Sequence, residues 1–189
     1  MEGAGSGGVT TQTRLPQAVG VVAALVAIGF DQGSKQFLLQ VLHLADHPIR
    51  LTPFFDLVLA WNIGISFGWL QNDSQLVQAA LMAVKLGAVV ALAYWMIRVR
   101  TVIASLALGL IIGGAIGNAI DRLVYGAVVD FAHFHLQIGE KIFSWYVFNL
   151  ADVAIVLGVL ALLYDSFWGG AEAKDQSEDG AADPGRPAP

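Results

Sequence analysis

Four long apolar runs limit most strongly what this chain can fold into. They cover about residues 17–39, 76–97, 102–120 and 151–168. A transmembrane helix needs about 20 consecutive, predominantly apolar residues, so each run is long enough to cross a bilayer. Only 13% of the residues are charged, whereas a soluble domain carries about 25%. The sequence therefore predicts an all-α membrane protein with four transmembrane helices.

The two ends of the chain differ in composition from the apolar part between them. Residues 1–16 are rich in Gly, Ser and Thr, and residues 169–189 are acidic with few large apolar side chains. Such segments bury too little apolar area to offset the entropy of ordering. We therefore predict a disordered N-terminal arm at 1–16, a four-span membrane domain at 17–168 and a disordered acidic tail at 169–189.

The basic residues near the predicted spans indicate how the chain is oriented. Arg98 and Arg100 lie in the short connection between the second and third runs, and Arg14 precedes the first run. Lys and Arg are enriched in cytoplasmic loops. We therefore expect both termini in the cytoplasm, and the connections at 40–75 and 121–150 on the opposite side of the membrane.

The two long connections carry patterns of their own. Residues 40–75 hold β-branched and aromatic residues between turn-forming Pro and Gly, a pattern that predicts short strands. Residues 121–150 are rich in Phe, Trp and Tyr, and Trp and Tyr are favoured at the headgroup level of a bilayer. We expect a small extracytoplasmic β-element in the first connection and an interfacial segment in the second.

Four aspartates fall at one level of the predicted bundle. Asp31 lies late in the first run, Asp121 and Asp130 follow the third, and Asp152 begins the fourth. At the cytoplasmic ends of the runs only Asp165 is a near-membrane acid. Ionisable groups within or beside a span are costly and commonly mark a functional site. The sequence therefore predicts a site at the outer ends of the helices.

Some of these residues also have a local structural explanation. Asp31 and Lys35 are four residues apart on one helical face and can form an ion pair. Asn149 and Asp152 have the spacing of a capping box at the start of a helix. Asp130 lies in the apolar stretch "AVVDF" without a local cap or cation. Asp130 is therefore the first candidate for a catalytic residue.

Asp121 needs a positive charge nearby. It lies near the C-terminal end of the third run, where a carboxylate opposes the helix dipole. Arg122 or a neighbouring loop can supply the cation, and Asn118 shares the helical face of Asp121. A neighbouring cation favours the charged carboxylate, which suits a supporting role better than proton transfer. The sequence alone leaves both Asp121 and Asp130 open as the partner of Asp152.

Two carboxyl groups held close together in a partly dry site share one proton, because both cannot easily ionise. The ionised group can activate water while the protonated group polarises a peptide carbonyl. Asp130 and Asp152 lie on adjacent outward elements and can form such a dyad. The sequence thus permits the chemistry of an aspartic protease.

Other functions fit the sequence less well than an aspartic protease. His133 and His135 alternate on a possible strand, but a zinc site needs a third nearby ligand. A small proton-coupled transporter also places acids within spans, but it predicts polar groups at mid-depth. A structural membrane subunit leaves Asp130 unexplained. The absence of cysteine excludes a cysteine nucleophile.

Four motifs occur together and in one order along the chain. They are "DQGSK" at 31–35, "NIGISFG" at 62–68, "GGAIGNAIDRLVYGAVVDF" at 113–131 and "FNLAD" at 148–152. As a set they resemble the lipoprotein signal peptidases, also called signal peptidase II. The resemblance implies a four-span aspartic endopeptidase that removes signal peptides from prolipoproteins, cleaving just before a cysteine that carries a diacylglyceryl group.

The resemblance also implies roles for particular residues. Asp130 and Asp152 match the catalytic dyad. The residues that match the polar shell or shape the substrate site are Asp31, Lys35, Asn62, Asn118, Asp121, Arg122 and Asn149. The strand element of the family fits residues 40–75, and its amphipathic interfacial segment fits residues 132–147.

The resemblance finally implies the setting in which the protein acts. We expect a multi-pass monomer in the bacterial inner, or plasma, membrane, with its active site on the extracytoplasmic side. Its partners are prolipoproteins bearing a diacylglyceryl cysteine, together with membrane lipid. We expect no metal, no organic cofactor and no nucleic acid.

Overall fold

The computed structural model describes residues 15–63 and 75–179. Nearly all of the predicted N-terminal arm, most of the 62–68 motif and the last ten residues of the predicted tail lie outside the described residues. In chain order the elements are α1 (Leu15–Gln40), β1 (Ile49–Thr52), β2 (Phe55–Asn62), α2 (Gln75–Met96), α3 (Val102–Tyr125), β3 (Val128–Ile138), β4 (Lys141–Ser144) and α4 (Leu150–Asp179).

Three of the helices contain segments long and apolar enough to cross a membrane. These are α1, α3 and residues Leu150–Phe167 of α4, whose apolar windows have mean hydropathies of 1.4, 2.0 and 1.9. In α2 the apolar segment Met82–Met96 is shorter than these three. The described residues therefore confirm a mostly helical membrane protein, while the fourth span stays a prediction.

Helix α4 continues beyond the point where the fourth apolar run ends. It reaches Asp179, so residues 169–179 are helical, although the sequence analysis placed them in a disordered tail. The segment contains "AEAK", and Ala, Glu and Lys are good helix formers. Adding residues to an existing helix avoids the cost of nucleation, which explains the extension.

Helix α3 packs against all three other helices. Small residues allow these close approaches: a Cβ on Gly109 would overlap the carbonyl oxygen of Gly20 in α1, and one on Gly114 would overlap that of Ala151 in α4. Glycine at such contacts is typical of helix packing in membranes, where backbones approach closely. The tight packing places the C-terminal end of α3 between α1 and the start of α4.

Helix α3 has a cap at each end. The hydroxyl of Thr101 accepts a hydrogen bond from the Ala104 N–H at 3.1 Å. At the other end Gly126 has φ 75° and donates its N–H to the Arg122 carbonyl at 3.1 Å. Glycine adopts this left-handed conformation readily and is frequent at helix ends. The turn directs the chain from α3 into β3.

The strands form one antiparallel sheet in the order β1-β2-β3-β4. The predicted β-element of the first connection is confirmed, since it supplies β1 and β2. Most of the residues at 132–147, where an amphipathic interfacial segment was predicted, belong to the β3–β4 hairpin of the same sheet, and their place at the membrane interface stays a prediction. Strand β3 pairs with β2, so the sheet joins connections that are distant in sequence.

Candidate active site

The nine predicted site residues form one connected polar network. They come from the end of β2, from β3, from the C-terminal halves of α1 and α3, and from the start of α4 with its cap. The hydrogen bonds and ion pairs described below link all nine. The convergence predicted from the sequence is therefore present in the structure.

A charged cluster lies at the centre of the network and consists of Asp31, Lys35 and Asp121. The Lys35 Nζ atom is 2.7 Å from an oxygen of Asp31 and 2.7 Å from an oxygen of Asp121. All three side chains are buried. The predicted Asp31–Lys35 ion pair is confirmed. A single ammonium group thus compensates two carboxylates.

Backbone groups also bind the charged cluster. Asp31 Oδ1 accepts the N–H of Ala151 in the first turn of α4 at 3.0 Å. Asp121 Oδ2 accepts the N–H of Val129 in β3 at 3.0 Å. Because these bonds join α1 and α3 to α4 and the sheet, the charged cluster fixes the elements that carry Asp130 and Asp152.

The sequence analysis did not identify Gln32 as part of this network. Its Nε2 atom donates to Asp121 Oδ1 at 2.8 Å, to the Gly117 carbonyl at 3.1 Å and to Asp31 Oδ2 at 3.2 Å. The signal available in the sequence was an amide next to Asp31 in an otherwise apolar helix. Gln32 is a second donor that bridges the two carboxylates of the charged cluster.

Arg122 has a different role from the one considered in the sequence analysis. Lys35 is the ion-pair partner of Asp121, while Arg122 Nη1 donates to the Asn118 carbonyl at 3.0 Å. The guanidinium charge still interacts with those of Asp121, Asp130 and Asp152. The ion-pair partner of Asp121 thus comes from neither source expected from the sequence, Arg122 or a neighbouring loop, because Lys35 of helix α1 supplies it.

Asp130 and Asp152, the carboxyl pair, are held by asparagine amides. Asn149 Nδ2 donates to Asp130 Oδ1 at 2.6 Å, and Asn62 Nδ2 donates to Asp130 Oδ2 at 3.0 Å. Asn118 Nδ2 donates to Asp152 Oδ1 at 2.9 Å. Asn149 also donates to Asn118 Oδ1 at 3.0 Å, so these two amides connect the carboxyl groups.

The predicted capping box at the start of α4 is confirmed. Asn149 Oδ1 accepts the Asp152 N–H at 3.1 Å, and Asp152 Oδ2 accepts the Asn149 N–H at 3.2 Å. The cap uses only one carboxylate oxygen, because Asp152 Oδ1 faces Asn118. Capping and a site role are thus compatible, since the cap fixes the side chain that the site needs.

Asp130 is 2% exposed and lies on β3. Burial raises the pKa of Asp130 above its ordinary value, and the negative charge of Asp152 raises it further. Hydrogen bonds from Asn62 and Asn149 and the charge of Lys35 lower this pKa without cancelling the rise. Near neutral pH the environment therefore favours a proton on Asp130 more than that of an exposed aspartate does.

A cavity of about 500 Å³ adjoins the carboxyl pair. Its polar lining comes from Asn62, Asp130 and Asp152, and its wall is otherwise apolar, with Trp145 and Leu157 among the lining residues. Trp145 and Leu157 are 70% and 53% exposed. The cavity can therefore admit an apolar ligand beside two carboxyl groups.

The two histidines on β3 bind other residues of the sheet. His133 Nε2 is 2.6 Å from Ser144 Oγ, and His135 Nε2 is 2.9 Å from an oxygen of Asp56. Within residues 15–63 and 75–179 no three His, Cys, Asp or Glu side chains are arranged to hold a metal ion. These contacts give both histidines a structural role.

Comparisons with known proteins agree with this architecture. Residues 23–168 match the sequence model of the family described as signal peptidase (SPase) II. A lipoprotein signal peptidase of Nitrobacter hamburgensis is 61% identical over 153 residues, which cover 80% of this chain and 93% of that protein. A lipoprotein signal peptidase of Rhodopseudomonas palustris is 58% identical over 160 residues, which cover 84% of this chain and 98% of that protein.

Two solved structures, each described as a bacterial membrane enzyme, share the fold. One has a TM-score of 0.66 at 23% identity and covers 80% of this chain and 94% of its own. The other has a TM-score of 0.63 at 22% identity and covers 90% of this chain and 95% of its own. The chain is therefore an integral membrane protein with the fold of these enzymes. It belongs to the signal peptidase II family, which confirms the resemblance found in its motifs.

Proposed function

We propose that this protein is a membrane aspartic endopeptidase that removes signal peptides from diacylglyceryl-modified prolipoproteins, cleaving just before the lipidated cysteine. Membership of the signal peptidase II family and the names of the relatives support the substrate class. The observation that carries the aspartic mechanism is the placement of Asp130 and Asp152 on linked amides beside one cavity.

In this mechanism the carboxyl pair shares one proton. The raised pKa of Asp130 supports Asp130 as the group that holds the proton and polarises the scissile carbonyl. The ionised Asp152 accepts a proton from water as its oxygen attacks the carbonyl carbon. A proton then passes from the pair to the leaving nitrogen, and the C–N bond breaks. The titration belongs to the pair as a whole.

The remaining site residues position this pair. The charged cluster holds the start of α4 through Ala151 and the start of β3 through Val129. Asn118 and Asn149 orient the two carboxyl groups through their linked amides. Asn62 and Arg122 are near enough to the pair to receive the substrate backbone as well.

The arrangement of the ends of the helices supports the predicted topology. Arg98 and Arg100 lie between α2 and α3, whereas the site lies at the other end of α3. With α2 as the fourth span, the positive-inside rule places both termini in the cytoplasm and the site on the extracytoplasmic side of the bacterial inner membrane. A monomer without metal or cofactor can then receive a lipid-anchored peptide by lateral diffusion.

A gel-shift cleavage assay tests this function. Purified protein in detergent is given one prolipoprotein with and without its diacylglyceryl group. We expect cleavage of the lipidated form only, and a loss of roughly 10²–10⁴-fold in Asp130→Asn and Asp152→Asn, the range for a general acid or base. Asp165→Asn, on the same helix as Asp152 but far from the site, is the matched control. Undiminished cleavage by either site variant would exclude the dyad.

A further inference from the structure

A second cavity lies in the sheet and is not part of the site described above. It has a volume of about 590 Å³. Its apolar lining comes from Phe54, Phe134, Leu136, Phe143 and Trp145. Each of these side chains is at least 43% exposed. Large apolar side chains grouped on a surface mark a place where an apolar partner binds.

The polar side chains of this second cavity are already bonded within the sheet. His135 Nε2 contacts Asp56, and Ser144 Oγ contacts His133. A peptide brings an N–H and a carbonyl at every residue, and burying them without partners is costly. A hydrocarbon chain has no such requirement. The lining therefore suits an acyl chain better than a peptide segment.

Trp145 connects the second cavity to the candidate active site, because it lines both. In a substrate cleaved before its lipidated cysteine, the cysteine sulphur must lie close to Asp130 and Asp152. The glyceryl group on that sulphur then lies in the cavity that Trp145 also lines. An acyl chain extending away from the scissile bond can pass this side chain and enter the second cavity.

We propose that the second cavity binds one acyl chain of the substrate's diacylglyceryl group. This inference rests on the proposed function and deepens it, since it assigns a place on the protein to part of the substrate. Hydrocarbon burial provides the affinity, and the lipid then fixes which peptide bond meets the carboxyl pair. Lipidation thereby becomes a requirement for cleavage in the correct register.

Leu136 allows a direct test of this proposal. Leu136→Glu places a charge in the second cavity, whereas Ile138→Glu places the same charge on the same face of β3, two residues further on and outside the lining. Leu136 and Ile138 have similar exposures, 54% and 60%. The pair therefore separates an effect on the cavity from an effect on the hairpin surface.

We expect Leu136→Glu to raise the KM for a dipalmitoyl substrate by roughly tenfold, which corresponds to losing the burial of about two methylene groups. The kcat should stay unchanged, because the chain binds equally in the ground and transition states. A dibutyryl substrate, too short to reach the cavity, should be unaffected. Ile138→Glu should leave the KM for both substrates unchanged.

Several results would overturn the proposal. One is an unchanged KM for the dipalmitoyl substrate in Leu136→Glu. Another is an equal rise in KM in Leu136→Glu and Ile138→Glu, which would indicate membrane contact of the hairpin instead. Leu136→Trp, which fills the cavity without a charge, replaces Leu136→Glu if that variant does not fold. If the wild type cleaves neither substrate, the proposed function itself fails.

Photolabelling separates the substrate from bilayer lipid as the source of the acyl chain. A diazirine is placed at the end of an acyl chain, either on the lipidated peptide or on phosphatidylglycerol in the same nanodiscs. We expect the peptide probe to label the β3–β4 hairpin, with competition by unlabelled substrate. Equal labelling by phosphatidylglycerol without such competition would show a bilayer lipid and contradict the proposal.

Discussion

The charged cluster and the carboxyl pair are adjacent, and each contains two aspartates, yet their environments differ. In the charged cluster an ammonium group lies 2.7 Å from both carboxylates. In the carboxyl pair the nearest donors are neutral amides, which cannot balance two negative charges. In the charged cluster the shared ammonium group offsets the repulsion between the two carboxyl groups, whereas in the carboxyl pair no direct cation contact does so, which favours one ionised and one protonated group.

Asn118 lies on the boundary between the two regions. Its Oδ1 atom accepts from Lys35 at 3.3 Å and its Nδ2 atom donates to Asp152 at 2.9 Å. One amide thus orients a charged group on one side and a carboxyl group on the other. The regions differ in the direct contact of an ammonium group with both carboxyl groups and not in the type of acid, and the predictions below address that contact.

Replacing Lys35 by Met should have the largest effect on stability. The substitution leaves two buried carboxylates without their cation, and breaking a buried ion pair in this way costs roughly 3–5 kcal/mol. Thermal unfolding in detergent measures the change. Lys141→Met, which removes an exposed lysine of β4, should change stability by less than about 0.5 kcal/mol. Equal effects of the two variants would contradict the distinct role of the charged cluster.

The same substitution should lower stability more in the charged cluster than in the carboxyl pair. Asp121→Asn should lower stability by about 1.5–3 kcal/mol, since Lys35 loses a charged partner. Asp152→Asn keeps an oxygen for the cap and should lower stability by less than about 1 kcal/mol, although cleavage is lost. Unfolding temperatures and cleavage rates of both variants are measured together. A stable Asp121→Asn would show that the ammonium needs only one carboxylate.

The pH profile of cleavage tests the protonation of the carboxyl pair. Activity should fall as pH rises through the raised pKa of Asp130, because the shared proton is then lost. Asn62→Leu removes a hydrogen bond that lowers this pKa, so the alkaline limb should move to higher pH. Gln137→Leu, an exposed change on β3, the strand that carries Asp130, is the control. A limb that moves to lower pH in Asn62→Leu would refute this assignment.

The smallest expected effect is on the pH dependence of stability. The folded-state pKa of Asp130 lies above the unfolded value, so the folded protein binds more protons between these two pKa values. Stability from this group therefore falls as pH rises through that window and is recovered at lower pH. Asp130→Asn should remove this dependence from the unfolding temperature, whereas Asp46→Asn, at an exposed aspartate, should preserve it. Identical pH profiles of the unfolding temperature in wild type and Asp130→Asn would contradict this contribution of Asp130.

Features set by local sequence could be predicted. The apolar runs gave the helices, the spacing of Asp31 and Lys35 gave their ion pair, and "NLAD" gave the capping box of Asn149 and Asp152. Each depends on residues within one helical turn. The aspartates at the ends of different runs also indicated one site, because topology alone places those ends together.

Features that need a partner far along the chain could not be predicted. Lys35 binds Asp121, which is 86 residues away in a different helix, and nothing near Asp121 indicates this cation. A strand pattern in β3 does not reveal which strand is its partner, and the partner is β2 of the first connection. The contact of Asp121 with Lys35, which separates it from the proposed carboxyl pair, is likewise long-range and could not be predicted from the sequence.

The bond from the Ala151 N–H to Asp31 joins residues 120 positions apart, one in α4 and one in α1. The first turn of α4, which carries Asp152, therefore gains this contact with α1 only after α4 has been synthesised. Chains leave the ribosome from the N-terminus onward. On the proposed mechanism, a chain that has not yet completed α4 lacks the geometry for hydrolysis.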